Sequence, residues 1–317
     1  MQKAIRFFIS FFLTLLISVE TFAWSAATHA YLARGAGQAN LDSQETYGAT
    51  VPDLFNLMLD SPDYDYLVNR THYHYGNVKS KARGMGLESF AFGFVSHNER
   101  WGADYTAHRN GRTTREGYII AQSTLLGTQL RPQVQVILEN SGVPLASLVA
   151  GVLAPQLAHP IIETAIDLLI KRNEDPLIGQ ELLQSAMDRS STVPDLLVAA
   201  YGKSIARRMN ISEEEAGNFI KDAEAGFREM MIRYGEILSK DEEEAIQDLA
   251  NEGAVLIEGY IEAVTGTQVE VPPEVLVEFL HLAIQQVEED YNGEIAATLS
   301  YLQNRLNSYL QRILKKD

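Results

Sequence analysis

Residues 90–110 (FAFGFVSHNERWGADYTAHRN) place His97, Asp104 and His108 within one predicted helix. At about 100° per residue, Asp104 and His108 lie roughly 20° to either side of His97 on that helix. Two imidazoles and a carboxylate are the groups that a divalent transition metal such as zinc takes from a protein, and an unpaired carboxylate is costly to bury. A solvated polar face with hydrogen-bonded histidines is the alternative, so the rest of the chain must decide between them.

The remaining sequence is also patterned for helices. Ser212 and Ser239 each precede a glutamate by three positions and are predicted capping boxes, and Pro272-Pro273 marks a further helix start. No alternation of apolar and polar residues extends over several strands, so we predict an all-α protein. The last predicted helix has one apolar stripe, which we expect to pack on the body of the protein; an unknown protein partner is the alternative. The stripe consists of Ile295, Leu299, Leu302, Leu306, Leu310 and Ile313.

Prolines and turn-forming residues predict where helices begin and end. Pro52 suits the first turn of a helix, which puts Asp53 at a helix start. Two prolines interrupt residues 144–173, and Pro160 is predicted to open a new helix. Residues 61–77 are rich in tyrosine and turn formers and are predicted to be a loop.

The N-terminus has the pattern of a secretory signal peptide. Basic residues precede an apolar run at 7–19, and small residues flank Phe22 before the predicted cleavage after Ala23. Residues 1–23 would be removed, and Trp24 would become the first residue of an exported protein, either secreted or periplasmic. No later stretch reaches the length of about 20 apolar residues that a membrane span needs, so we predict no span in the mature protein.

The chain is acidic and contains no cysteine. Removing Lys3, Arg6 and Glu20 with the signal peptide takes the formal charge from −16 to −17. A surface of this charge repels polyanions and argues against broad nucleic-acid binding by a basic groove. The absence of cysteine excludes disulfide cross-links, although the predicted compartment permits them.

The histidines are unevenly distributed along the chain. Six of the seven lie at or before position 159, and the following 158 residues contain only His281. This skew favours a site in the first half over scattered core histidines.

Short motifs carry these histidines in a recognisable order. They are WSAATH (24–29), GATVPD (48–53), THY (71–73), GFVSH (93–97) followed by an aspartate and a histidine, and a closing His-x3-Glu pair. This order resembles the zinc-dependent phospholipase C family, which includes the catalytic domain of glycosylphosphatidylinositol-specific phospholipase D and is related to the three-zinc single-strand nucleases. Nine positions match across roughly half of the mature chain: Trp24, His29, Asp53, His72, His97, Asp104, His108, His159 and Glu163.

The resemblance implies an all-α, multi-helix phospholipase C-like bundle that binds up to three Zn²⁺ ions through these nine residues. Trp24 would supply its free α-amine and carbonyl oxygen after cleavage, and Asp53 would be both a zinc ligand and the proposed general base. The THY motif selects His72 as a ligand over His74. The latter stays an alternative, because an extended segment would put both rings on one side.

The sequence departs from the family pattern at one spacing. Family members place the helix aspartate four residues after the first histidine, whereas Asp104 follows His97 by seven. In a regular helix the two Cα atoms would be about 10.5 Å apart along the axis. A bulge or kink near Gly102 would relieve this separation, and Glu99 is the alternative carboxylate if the helix is regular.

We therefore expect residues 24–175 to form a catalytic region and residues 176–317 to form a C-terminal helical extension of unknown role. The expected activity is hydrolysis of glycerophospholipid headgroups by metal-activated water, at a membrane or micelle surface. One alternative is a three-zinc nuclease acting on single-stranded nucleic acid, which the W-x4-H spacing favours mildly. The other is a non-catalytic, metal-stabilised interaction protein.

Overall fold

The structure, a computed structural model, describes residues 24–37, 42–56, 58 and 61–314, and the predicted signal peptide lies outside them. These residues form helices and connecting turns without a β-strand, which confirms the all-α prediction. Short 3₁₀ helices occupy Val51–Phe55 and Arg83–Met85. The α-helices are α1 (Ala26–Ala36), α2 (Ser43–Thr50), α3 (Tyr64–Tyr73), α4 (Gly76–Ala82), α5 (Glu88–His97), α6 (Ala103–His108), α7 (Tyr118–Asn140), α8 (Ala146–Asn173), α9 (Ile178–Asp188), α10 (Val193–Met209), α11 (Glu213–Leu238), α12 (Glu242–Thr265), α13 (Pro273–Val287) and α14 (Tyr291–Leu314).

Helix α3 corrects the loop predicted for residues 61–77. Its buried residues Tyr64, Leu67, Val68 and Thr71 recur at steps of three, one and three, which is the spacing of one helix face. The turn-forming residues around this face obscured its period. Burial of that face against the core therefore outweighs the weak local propensity.

Helix α8 corrects the predicted break in residues 144–173. It runs through both Pro155 and Pro160 as one helix and packs along α7. Proline removes one backbone hydrogen bond, but the apolar contacts of a 28-residue buried helix offset that loss. Contrary to expectation, α8 is long and apolar enough to cross a membrane, although 61% of its most apolar 18-residue window is buried inside the protein.

The C-terminal helices begin largely where the sequence predicts. Ser212 forms the capping box of α11 with Glu215, and α13 starts at Pro273. The second predicted capping box is wrong, because Ser239 ends α11 and Asp241 precedes α12.

The apolar stripe of α14 packs on the protein body, as predicted. Ile295, Leu302 and Leu306 are buried, and Leu299 packs against the same core. The side chains of Leu310 and Ile313 lie outside the described residues.

Two hydrophobic cores hold these helices together, and each draws on both halves of the chain. The larger joins α1, α7 and α8 to α12, α13 and α14, with Leu153 and Ile166 among its buried residues. The smaller joins α2, α3 and α5 to α10 and α11, with Phe90 and Phe227 in contact through Tyr47. The C-terminal helices are thus part of the framework that positions the first half.

Candidate metal centre

Eight of the nine predicted site residues bring their side chains into two buried clusters. The first cluster is contributed by α1, the 3₁₀ helix at Val51–Phe55, α3, α5 and α6, and it contains His29, Asp53, His72, His97 and Asp104. The second is contributed by α6 and α8, and it contains His108, His159 and Glu163. Within each three-residue group of these clusters, the potential ligand atoms lie within 4.8 Å of one another.

Asp104 is the centre of the first cluster. Its Oδ1 lies 3.2 Å from His29 Nε2, and its Oδ2 lies 2.9 Å from His97 Nε2 and 3.5 Å from His72 Nε2. Oδ1 thus faces one imidazole and Oδ2 faces two others, so a divalent cation would find a carboxylate oxygen and an imidazole nitrogen on either side of Asp104. Asp53 Oδ1 closes the cluster at 3.2 Å from His72 Nε2 and 3.6 Å from His97 Nε2.

The second cluster is smaller and has the composition of a single metal site. The Nε2 atoms of His108 and His159 are 3.3 Å apart, and His159 Nε2 lies 3.0 Å from Glu163 Oε1. Two imidazoles and one carboxylate match the ligand set of catalytic zinc sites that keep a position open. The pair on α8 faces α6 because residues four apart lie on the same side of a helix.

Outer contacts fix the orientation of three imidazole rings. His97 Nδ1 lies 2.8 Å from the carbonyl oxygen of Ala49, and His72 Nδ1 lies 2.9 Å from that of Val68. A carbonyl oxygen only accepts, so each Nδ1 donates and each Nε2 faces the cluster. His108 Nδ1 bonds to the Glu99 carboxylate, which also accepts from Arg109 Nε at 3.2 Å. Metal-binding histidines are held by such contacts.

The clusters contain buried polar atoms that hydrogen bonds do not satisfy. Among the described residues, His29 Nε2, both oxygens of Asp104 and Glu163 Oε1 have ion-pair neighbours but no correctly aligned hydrogen-bond partner. Buried groups of this kind cost free energy unless protons or cations occupy the space between them. The donor set and its unmatched lone pairs therefore fit divalent cations.

The pKa shifts show how strongly the clusters compete for positive charge. Burial opposes ionisation of Asp53 and Asp104, yet the neighbouring histidines hold the pKa of both carboxyls well below the usual range. Burial also opposes charging of His108, yet Glu99 raises its pKa to about 9. By contrast, burial and the adjacent His97 lower the pKa of His29. Protons and metal ions would thus compete for the same lone pairs.

The predicted single helix over residues 90–110 is wrong. Helix α5 ends at His97, and α6 begins at Ala103. Between them, Asn98 Oδ1 accepts from the backbone N–H groups of Arg100 and Trp101 at 2.8 and 3.0 Å, which closes a tight turn. This break removes the separation of about 10.5 Å expected for a regular helix.

Gly102 makes that turn possible. A Cβ atom at this position would lie 2.4 Å from the carbonyl oxygen of His97. Only glycine therefore allows the chain to fold back on the end of α5 and bring Asp104 to His97. The irregularity predicted near Gly102 lies in this segment, although it is a complete break.

Trp24 lies beside α6, but its proposed role as a ligand is not shown by these contacts. Its buried indole donates from Nε1 to the carbonyl oxygen of Ala103 at 3.0 Å and stacks on Tyr118. The residue also lines the same cleft as Asp53 and Glu163. The use of its α-amine as a ligand stays a prediction.

The structure places the alternative site residues, His74 and Glu99, differently from His72 and Asp104. His72 points into the first cluster, while His74 follows the end of α3 and joins none of the metal-type groups in the described chain. The reason is that α3 is helical. Positions 72 and 74 are therefore about 200° apart around the helix axis, so the two side chains point in nearly opposite directions. Glu99 is buried, and it orients His108 instead of replacing Asp104.

Asp167 is a structural residue of the site that the sequence interpretation missed. Its carboxylate accepts from the backbone N–H groups of Ala27 and Thr28 at 2.9 and 2.8 Å and from Tyr234 Oη at 2.9 Å. It therefore caps the N-terminus of α1, which carries His29. The sequence feature that could have identified Asp167 is its position four residues after Glu163, which puts both carboxylates on the same face of α8.

A cleft of about 310 Å³ leads to the clusters from the surface. Asp53, Glu163 and Trp24 lie along it, and Asp53 keeps 18% of its side chain exposed. Apolar residues from α11, α12 and α13 also line it, including Met230, Leu256 and Leu280. The clusters are therefore connected to the surface by this cleft. Comparison of the chain with protein-family models, with curated proteins and with solved structures finds no match to any of them.

Proposed function

We propose that the protein is an exported zinc-dependent phosphodiesterase of the phospholipase C type, with a mature chain that begins at Trp24. The observation that carries this proposal is the convergence of eight predicted ligands from separate chain segments into two buried clusters. Order in the sequence and proximity in space are independent properties. Their agreement supports the resemblance on which the proposal is based.

The chain's own residues would bind and orient the reacting groups. Zinc held by these side chains would lower the pKa of water and polarise phosphoryl oxygens. Asp53 is the carboxylate of the first cluster that reaches the cleft, with 18% of its side chain exposed. It would orient the attacking water and accept its proton. The remaining buried ligands would exclude bulk water from the reacting phosphorus.

The cleft favours a lipid over a nucleic acid as the substrate. Its walls are largely apolar, and the formal charge of the chain is −16. A single-strand nuclease would be expected to combine a positively charged groove with stacking aromatic side chains. Diacylglycerol is thus the proposed leaving group, and the substrate would be reached at a membrane or micelle surface.

The proposal is tested on the exported protein after its N-terminus has been sequenced. We expect a first residue of Trp24, bound zinc by elemental analysis, and hydrolysis of phosphatidylcholine in preference to single-stranded DNA. Preferential cleavage of DNA would identify a nuclease. Bound zinc without hydrolysis of either substrate would support the non-catalytic alternative, and a metal-free protein would reject both enzyme proposals.

The role of Asp53 is tested by Asp53→Asn. Removal of the carboxylate should lower the turnover of phosphatidylcholine by at least about 100-fold, the usual contribution of a general base. Asp65→Asn is the matched control, because Asp65 is an exposed aspartate on α3. Unaltered turnover in Asp53→Asn would remove the proposed base from the mechanism.

A further inference from the structure

The apolar side of the cleft belongs to the C-terminal half of the chain, whose role the sequence leaves open. Helix α11 contributes Met230 and Ile237, α12 contributes Leu249 and Leu256, and α13 contributes Leu280. Asp53 and Glu163 lie in the same cleft, so the apolar wall is continuous with the metal-type clusters. A molecule bound against this wall would extend directly from the reacting position.

The chemistry of the wall fits a hydrocarbon chain. Apart from Asp53 and Glu163, the charged side chains that line the cleft are Arg233 and Glu252, and these pair with each other at 3.2 Å. The wall thus offers no unpaired charge to a polar ligand among the residues described here. A volume of about 310 Å³ is at the lower end of ligand pockets, enough for part of one lipid chain.

The rim of the cleft is also apolar. Leu256 lines the cleft yet is 63% exposed, and its neighbour Val255 is 68% exposed. An aliphatic side chain that is open to solvent and continuous with an apolar interior provides an entry for a hydrocarbon chain.

We propose that helices α11, α12 and α13 form a binding site for one acyl chain of a glycerophospholipid, and that they thereby set the chain-length preference of the reaction. This inference rests on the proposed function for its substrate class. It assigns the C-terminal helices a specificity-determining role: they hold one acyl chain of the diacylglycerol portion while the phosphoryl group lies at the metal-type clusters.

The first test measures binding, independently of hydrolysis. The full-length mature protein is titrated with dansyl-undecanoic acid, and the bound probe is displaced with dioctanoylglycerol. We expect saturable fluorescence and complete displacement. Leu256→Asp should weaken binding of the probe at least tenfold, because the substitution puts a carboxylate into the entry.

Val255→Asp is the matched control for that substitution. It introduces the same charge at the adjacent exposed position of α12, but Val255 does not line the cleft. It should bind the probe as the unsubstituted protein does. Circular dichroism and thermal unfolding establish that both variants are folded, and Leu256→Gln repeats the test without adding charge. If all three variants bind the probe as tightly as the unsubstituted protein does, the proposal is overturned.

The second test measures chain-length preference with dihexanoyl- and dibutyryl-phosphatidylcholine as monomers. Each buried methylene strengthens binding about fourfold, so two additional methylenes in one acyl chain should raise kcat/KM about 15-fold. Leu256→Asp should abolish most of this preference, and Val255→Asp should retain it. Equal kcat/KM for the two lipids in the unsubstituted protein would also overturn the acyl-chain site.

The two proposals fail in different ways. If phosphatidylcholine is hydrolysed without any chain-length preference, the acyl-chain site is rejected and the proposed function stands. If the protein binds the probe at the cleft but hydrolyses no phosphodiester, including soluble bis(p-nitrophenyl) phosphate, the proposed function is rejected and hydrocarbon binding by the cleft stands.

Discussion

At the scale of single residues, the candidate site depends on contacts one step away from the proposed ligands. The imidazoles of His72, His97 and His108 each use Nδ1 for an outer bond, so that Nε2 faces a cluster. Two of these outer partners are backbone carbonyls and the third is the side chain of Glu99. That carboxylate is therefore the outer contact that substitution can remove.

Glu99→Gln should weaken zinc binding at the second cluster by about 10- to 100-fold, because the neutral amide orients His108 without supporting positive charge on the ring. Chelator competition followed by elemental analysis measures this affinity. Glu88→Gln is the control, since Glu88 is an exposed acid on α5. Equal zinc affinity in the two variants would show that Glu99 is structural only.

Glu45 gives the stability of the protein a specific pH dependence. Burial, followed by the charge of Asp42, raises the pKa of Glu45 from 4.5 to about 8, and its Oε1 has no hydrogen-bond partner among the described residues. The native state therefore binds a proton that the unfolded state releases above about pH 4.5. This contribution to the free energy of unfolding is complete below pH 4.5 and is lost as the pH rises through 8.

Glu45→Gln should remove that slope, since glutamine stays neutral. Urea unfolding should give the two proteins similar stability near pH 4.5. Near pH 8 the variant should be more stable by about 1–2 kcal/mol after solvent screening is allowed for. A constant difference between the two proteins from pH 4.5 to 8 would contradict the raised pKa.

At the scale of secondary-structure elements, the break between α5 and α6 determines the geometry of the first cluster. The turn at Asn98 and the close approach at Gly102 place Asp104 Oδ2 2.9 Å from His97 Nε2. The same break directs His108, at the end of α6, toward α8. One turn thus positions side chains of both clusters.

Gly102→Ala should destabilise the protein by about 1–3 kcal/mol, because its Cβ would collide with the end of α5. It should also lower the zinc content, since a displaced α6 separates Asp104 from His97. The matched control is Gly84→Ala, where a Cβ meets no atom within 4 Å; it should change stability by less than about 1 kcal/mol. Urea unfolding and elemental analysis measure both effects, and full zinc content in Gly102→Ala would contradict the role of the turn.

At the scale of the whole molecule, the clusters lie where both halves of the chain meet. Asp167 joins α8 to the start of α1, and Tyr234 on α11 bonds to the same carboxylate. The two clusters at this junction contain three carboxylates, of Asp53, Asp104 and Glu163, and the last two are buried. Cations that neutralise them should therefore stabilise the entire fold.

Removal of zinc by a chelator should lower the midpoint of thermal unfolding by roughly 5–10 °C. A ligand at 1,000 times its Kd contributes about 4 kcal/mol, and in a chain of this size each kcal/mol shifts the midpoint by roughly 2 °C. Addition of zinc should restore it. Asp104→Asn should show a smaller shift, whereas His281→Ala, which alters the exposed histidine of α13, should show the full shift. An unchanged midpoint in chelator would contradict metal binding by the native protein.

Much of the fold and of the candidate site followed from local patterns. The steps of three and four in α14 identified Leu302 and Leu306 as core residues, and Ser212 marked the start of α11. Ligand-type residues at motif spacing identified eight side chains that meet in space. Such predictions succeed when one helix face or one motif contains the whole signal.

Other features depended on packing between distant segments. Helix α3 forms because its face is buried, although its turn formers predict a loop, and α8 continues through Pro160 because its flanks pack against the core. Asp167 supports the site because its carboxylate accepts from the backbone at the start of α1. This contact joins residues 140 positions apart, so no local pattern predicts it.

The sequence by itself therefore determined the helical class, the chemical types of the site residues and their order along the chain. Only the tertiary structure decided that the 90–110 segment breaks at Gly102, that Asp104 faces three imidazoles, and that α11, α12 and α13 line the cleft. The physical reason is that helix period and ligand chemistry are properties of neighbouring residues. The distances between the metal-type clusters and the apolar wall of the cleft are set by packing between distant segments. In such packing, burial of a helix face outweighs the local propensity of its residues.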